Sequence, residues 1–302
     1  MTVALPHKAG FVAIVGAPNA GKSTLLNYLL GEKVAIVTSK PQTTRHRILG
    51  VMTEPGAQLI FWDTPGLHAP GQALLNREMM NRALAALEDS DLILWVIDCL
   101  KRGSEHQRAM EIVANSRGSN RPVVIALNKI DVVPDKPALL PIIKEAEEAA
   151  APSAIVPLSA KNGDGVKILV DELIKLLPEN PPFYPDDTLT DQPERVIAAE
   201  MVREAVFKFT GQEIPYSTAV TIDEFKESPT IIKIEATIHV ERESQKGVII
   251  GAGGSMLKKI GQTARINIEK MTGEKVFLKL FVRTTRDWSK KKSTLLEFGY
   301  GD

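Results

Sequence analysis

The chain has 302 residues, 44% apolar, 25% charged and 5% aromatic, which describes an ordinary soluble protein long enough for a sizeable core and two domains. Its 37 Lys and Arg balance 37 Asp and Glu, which excludes a uniformly basic polyelectrolyte and leaves local segregation open. Cys99 is alone, so an internal disulfide and a Cys-based structural zinc site are excluded; a reducing, cytoplasmic setting is expected, with Cys99 a small buried hydrophobe. No apolar stretch reaches the ~18 residues of a membrane span.

The first predicted strand, residues 11–15, runs into Gly16-Ala17-Pro18-Asn19-Ala20-Gly21-Lys22-Ser23-Thr24 and a helix predicted over 22–30. This is G-x-x-x-x-G-K-[ST] in a strand-to-helix turn, where backbone N–H groups face phosphates, Lys22 neutralises β and γ oxygens and Ser23 offers a hydroxyl to Mg²⁺. Pro41-Gln42-Thr43-Thr44-Arg45-His46-Arg47 follows as a polar segment between apolar runs. A threonine there would complete the Mg²⁺ shell only while a γ-phosphate is present, and Thr43 and Thr44 are both candidates. His46 and His68 lack Asp or Cys neighbours at ligand spacing and are expected at the surface.

A strand over 59–62 ends in Asp63-Thr64-Pro65-Gly66: the carboxylate suits Mg²⁺ through water, and the glycine N–H can approach the γ-phosphate. The next position, where some GTPases carry a water-orienting glutamine, is Leu67, so slow intrinsic hydrolysis is expected. Further strands are predicted over 92–97 and 123–127, the latter leading into Asn128-Lys129-Ile130-Asp131. Asp131 can accept from both N1–H and N2–H₂ of guanine, a donor pair that adenine lacks. Asn128 is expected to tie this loop to the first, and the Lys129 stem to cover the base. After a helix over 139–149 and a strand over 155–157 comes Ser159-Ala160-Lys161, whose Ala160 N–H is a candidate for guanine O6. Strands alternating with helices imply a mostly parallel sheet with helices on both faces, and ligands at the strands' carboxyl ends.

Between Pro178 and Pro193 five of sixteen residues are proline, a semi-rigid extended connector. The expected organisation is a nucleotide-binding domain over 1–178, a linker over 179–193 and a second domain over 194–302. In the second, a helix over 195–209, strands over 218–225 and 230–241, a helix over 256–271, a strand over 275–283 and a last helix are predicted. Residues 244–292 hold twelve basic side chains against three acidic ones, net +9, leaving −9 for the remainder. A folded surface that meets phosphates is expected there.

These motifs, in this order and spacing, resemble translation-factor-class bacterial GTPases. Residues 247–261, containing Gly251-Ala252-Gly253-Gly254 and Lys258-Lys259, resemble the Gly-x-x-Gly core of a KH domain. With the closing Trp288, Phe298, Gly299 and Tyr300, the chain resembles the Era-type GTPases nearly end to end. The resemblance implies an α/β P-loop GTPase domain followed by an α+β type II KH domain, ordered α-β-β-α-α-β with an extra helix. It favours Thr44 over Thr43 through the Thr-Arg step, and assigns catalysis to Lys22, Thr44, Gly66 and Asn19, the last as a K⁺ ligand. It puts RNA on Gly251, Ala252, Gly253, Gly254, Lys258 and Lys259, although Ala252 and Gly253 stand where KH loops often carry a basic residue. The implied partners are GTP and GDP, the 3′ end of small-subunit ribosomal RNA and the assembling small subunit. Loose peripheral membrane contact is also implied, without a visible anchor, and a monomer is expected. A contrasting reading is an RNA-binding assembly scaffold in which nucleotide is mainly structural; an ATP-using P-loop enzyme is disfavoured by Asp131.

Overall fold

The computed structural model describes residues 7–40, 43–45, 47–67, 74–101, 103–116, 121–211 and 213–300. The expectations placed on Pro41, Gln42, His46 and His68 lie outside them. Contacts divide the chain into two compact units: the described residues of Met1–Val34, Thr44–Pro70 and Met79–Asp191, and those of Ala35–Thr43, Gly71–Glu78 and Gln192–Asp302.

The first unit contains β1 (Lys8–Val15), α1 (Lys22–Leu30), β2 (Ile48–Glu54), β3 (Ala57–Asp63), α2 (Leu74–Glu88), β4 (Leu92–Asp98), α3 (Ser104–Asn115), β5 (Val123–Asn128), α4 (Leu140–Ala150), β6 (Ala154–Leu158) and α5 (Val166–Leu176). The sheet order is β2-β3-β1-β4-β5-β6, with every pairing parallel except β2–β3. All seven residues of β4 and all six of β5 are buried, the continuous apolar signature of strands covered on both faces. Trp95, Ile93 and Ile125 pack with Ala83 and Leu87 of α2, Ala109 and Val113 of α3, and Ile142 and Ala146 of α4. Cys99 belongs to the same cluster, and burial pushes its thiol pKa up.

Two features differ from the sequence reading. Strand β2 was not predicted; it pairs antiparallel with β3 from Ile48↔Asp63 to Glu54↔Ala57, across a Pro55-Gly56 turn that is a hairpin signal in hindsight. The connector is stitched to the first unit. Buried Gln58 donates to the Tyr184 carbonyl at 2.9 Å and accepts from the Phe183 and Tyr184 amides at 2.8 and 3.0 Å. Farther along, the Val51 amide donates to Leu189 O and the Thr190 hydroxyl to Leu49 O.

The second unit contains α6 (Glu194–Phe209), β7 (Ala219–Lys226), β8 (Ile232–Val240), α7 (Glu243–Ile250), α8 (Ser255–Thr272), β9 (Val276–Thr284) and α9 (Lys292–Glu297), the α-β-β-α-α-β order with an extra helix that the resemblance implies; α7 is the helix not placed by residue pattern. In its sheet, β7-β8-β9, β7 runs antiparallel and β9 parallel to β8. Val202, Ala205 and Val206 of α6 and Ile260 and Ala264 of α8 pack on Ala236 and Ile238. Trp288 is fully buried, donates Nε1–H to Ser217 O at 2.9 Å, and lies 5.7 Å from both Phe298 and Tyr300. No helix among the described residues is long and apolar enough to cross a membrane.

Candidate functional site

Because β1, β3, β5 and β6 point the same way, their carboxyl ends lie on one edge of the sheet. The four sequence-predicted loops therefore converge there. Gly16 to Gly21 leads straight into α1, whose first residue, Lys22, is buried and donates to the Gly16 and Ala17 carbonyls at 3.1 Å each. Burial lowers its pKa to about 8, against the opposing pull of Asp63. An anionic phosphate would replace those carbonyls and restore a firmly charged ammonium.

Ser23, Thr44 and Asp63 form an oxygen cluster. The Ser23 hydroxyl donates to Asp63 Oδ2 at 2.6 Å and lies 2.9 Å from Thr44 Oγ1. Asp63 is fully buried, its Oδ1 has no hydrogen-bond partner, and burial raises its pKa to about 6 despite the Lys22 charge. A buried carboxylate oxygen left unpaired beside two hydroxyls is the donor set of a hard divalent cation, so these residues fit Mg²⁺. Thr43 turns away: its hydroxyl meets Thr38 Oγ1 at 2.6 Å and Lys40 O at 2.8 Å. Thr64 donates to Ile14 O at 2.8 Å, pinning the start of the next loop. A Cβ on Gly66 would come within 2.8–2.9 Å of Pro18, so only glycine permits that approach. Leu67 is fully buried in the core cluster, its amide donating to Gly16 O at 3.0 Å.

At the base-recognition end, Asn128 donates from Nδ2 to Ala20 O at 2.8 Å and accepts at Oδ1 from the Lys129 and Ala160 amides at 2.8 and 2.9 Å. The Ala160 N–H is thus already engaged, and a contact to guanine O6 must share it. Ser159 donates to Asp131 Oδ1 at 2.8 Å, orienting the exposed carboxylate. Lys129 stands in the left-handed region at φ 72°, and its ammonium bridges Asn19 O and Asp98 Oδ2 at 2.7 Å each. The sequence reading missed Asp98, whose only signal is a carboxylate at the end of an otherwise apolar strand.

In the second unit, Gly251, Gly253 and Gly254 hold φ of 71°, 57° and 80° in a tight turn that opens α8. A Cβ on Gly253 or Gly254 would meet nothing within 4 Å, so the loop presents bare backbone to open space. Lys258 and Lys259 are exposed one turn on, with the Lys259 ammonium 5.9 Å from the Phe209 ring centre. Residues 35–40 and Thr43, counted with this unit, are fastened to α6: Glu204 accepts from the Val37 amide at 3.0 Å, Lys40 donates to the Phe207 and Thr210 carbonyls, and Arg203 donates to Thr43 O at 2.5 Å. Arg203 is fully buried and paired with Glu200. None of these anchors was anticipated from sequence.

A parallel sheet with a phosphate loop and a guanine-suited Asn-Lys-Ile-Asp turn, carried with a Gly-x-x-Gly helix entry on a three-stranded sheet, defines a P-loop GTPase with a KH domain. The family model described as 50S ribosome-binding GTPase matches residues 11–129, and that of the KH domain residues 213–289. GTPase Era of Geobacter metallireducens is 49% identical over 298 residues, 98% of each protein; that of Stenotrophomonas maltophilia strain K279a is 43% identical over 300 residues, 99% of this chain and all of the relative. Two crystal structures of Era, an Aquifex aeolicus variant bound to GDP·AlF4⁻ and a complex with MgGDPNP and nucleotides 1506–1542 of 16S ribosomal RNA, each superpose with a TM-score of 0.93 at 42% identity, over 98% of this chain and 100% of theirs. The chain belongs to the GTPase Era family.

Proposed function

We propose that the chain is a GTP-driven switch that binds the single-stranded 3′ end of small-subunit ribosomal RNA through its KH unit and acts in small-subunit assembly. One observation carries the switch: Thr44 offers its hydroxyl to the Ser23–Asp63 cluster, while the carbonyl of the preceding residue, Thr43, is held by Arg203 on α6. A change at the γ-phosphate that moves Thr44 therefore acts on the strap that α6 holds. The relative crystallised with a 16S fragment supports the RNA assignment.

GTP is bound, on this reading, by residues Gly16 and Asn19 to Thr24, with Lys22 on the β and γ oxygens, residues Asp63 to Gly66 around the γ-phosphate, and Asn128, Lys129, Asp131 and Ser159 to Lys161 around guanine. Mg²⁺ would be held by the Ser23 and Thr44 hydroxyls and, through water, by Asp63, and it supplies neutralisation of developing phosphate charge. Lys22 gives a second positive charge and the Gly66 N–H a hydrogen bond to the γ oxygens. No glutamine follows Gly66, and Leu67 points into the core, so the attacking water is unoriented by that position and turnover is slow. Asn19 would be the residue to hold a K⁺, which would add positive charge for the phosphates; equal rates in K⁺ and Na⁺ buffers would remove that element alone.

Binding of a labelled 16S 3′-terminal fragment by the full chain tests the RNA assignment. A Gly253→Asp, Gly254→Asp variant should lose the fragment and keep GTP hydrolysis, whereas retained RNA binding would take the loop out of the interface. Thr44→Ala distinguishes the scaffold reading: if that variant binds RNA and still supports subunit assembly, nucleotide turnover is incidental.

A further inference from the structure

The helices α6 and α8 cover one face of the β7–β9 sheet, and the opposite face is only partly covered. Alternate residues of β9, Phe277, Lys279, Phe281 and Arg283, are exposed, while Val276, Leu278, Leu280 and Val282 face the helices. Phe277 and Phe281 are 54% and 41% exposed, ~13 Å apart along the strand. Near the Arg283 end the chain covers this outer face with itself: His239, the register partner of Arg283, packs 4.3 Å from the Phe298 ring. Two phenyl rings remain uncovered farther along.

The charged groups around the rings select among partners. The Lys279 ammonium lies 4.7 Å from the Phe281 ring centre and pairs with Glu235 at 2.9 Å. Lys233 stands beside Phe277 in register, and Lys226 beside Lys233. The carboxylates are Glu235 and, on β7, Glu224 and Asp223, the last accepting from Thr237 at 2.6 Å. The β9 side is therefore cationic and aromatic, and that combination matches a phosphate backbone with bases that stack. Position agrees. Strand β9 is the sheet's edge next to α7 and α8, the helices that flank the Gly251–Gly254 turn, so a strand of nucleic acid leaving that turn can pass around the edge onto the outer face.

We propose that this outer sheet face is a second RNA surface, on which bases of the single strand leaving the Gly251–Gly254 turn stack on Phe277 and Phe281 with their phosphates near Lys279 and Lys233. The proposal rests on the RNA reading above and extends it. A Gly-x-x-Gly turn clamps about four nucleotides, and the solved relative was crystallised with nucleotides 1506–1542, a segment long enough to extend past such a turn.

The test titrates full-length protein, with a non-hydrolysable GTP analogue, into nested fluorescein-labelled fragments of that 16S segment. One probe of about five nucleotides fills the turn alone, and one of about twelve reaches past it. Wild type should bind the longer probe at least about tenfold more tightly, and Phe277→Ala with Phe281→Ala should remove that gain while leaving the short probe unchanged. Phe277→Leu with Phe281→Leu, which keeps apolar bulk without a ring face, should behave like the alanine pair. Equal wild-type affinity for both probes, or full binding of the long probe by the alanine or leucine pair, overturns the proposal. So does a wild-type dimer in sedimentation that the alanine pair abolishes, since the face would then be a contact between copies. Loss of short-probe binding in wild type would count against the RNA reading itself, separately from this surface.

Discussion

The Ser23 hydroxyl donates to Oδ2 of Asp63 at 2.6 Å, joining the first turn of α1 to the end of β3, with Oδ1 of the same carboxylate unpaired. Asp63→Asn keeps the shape and removes the charge. GTP affinity in Mg²⁺ should fall roughly 10–100-fold, and in EDTA by less than about threefold. Isothermal titration in both buffers measures the difference; equal losses would separate Asp63 from the metal.

Leu67 stands where a catalytic glutamine is absent, and its buried side chain makes a simple repair fail. Leu67→Gln should put an amide into the core next to Trp95 and Ala83, costing roughly 3 kcal/mol of stability, with no gain in GTP turnover. A faster variant would show that position 67 can face the phosphate.

Arg203 and Glu200 form a buried pair on α6, and Arg203 also holds Thr43 O. Arg203→Ala removes the guanidinium paired with the buried Glu200 carboxylate and should destabilise the second unit by about 3–5 kcal/mol. Hydrogen exchange of residues 35–40 should quicken in that variant. Arg203→Met with Glu200→Leu should recover stability but not the slow exchange, because the Thr43 anchor stays lost.

His239 is held between the hydroxyls of Thr221 and Thr285 at 3.0 and 2.9 Å, and burial lowers its pKa from 6.5 to about 4, with Arg283 adding to the effect. The folded chain therefore resists a proton that the unfolded chain accepts. Its contribution is complete above pH 6.5 and is lost as pH falls from 6.5 towards 4. Thermal midpoints across that window should drop more steeply for wild type than for His239→Asn; parallel curves would place the pH sensitivity elsewhere.

The four nucleotide loops could be read from sequence because each is a short local motif directly after an apolar strand, and parallel pairing then brings them to one edge. The Gly251–Gly254 turn was visible for the same reason. Strand β2 was hidden because its apolar run lacks alternation, both faces of residues 48–51 being buried. The connector's docking uses a buried amide, Gln58, whose partners on the connector, Phe183 and Tyr184, lie more than a hundred positions away. The strap on α6 is equally remote, with Thr43 and Arg203 separated by 160 positions. Side chains that work through such distant pairings leave no periodicity to read, and Asp98 beside Lys129 belongs with them.

The central claim is that nucleotide state, sensed at Thr44, controls RNA binding by the KH unit. Its most direct test is the affinity of the full chain for the 16S 3′-terminal fragment, measured at one salt concentration with Mg²⁺ and either a non-hydrolysable GTP analogue or GDP. Tighter binding in the GTP-analogue state by about fivefold or more, abolished by Thr44→Ala, is the expected result. The same affinity in both states would contradict the coupling and leave a KH protein whose nucleotide does not govern its RNA.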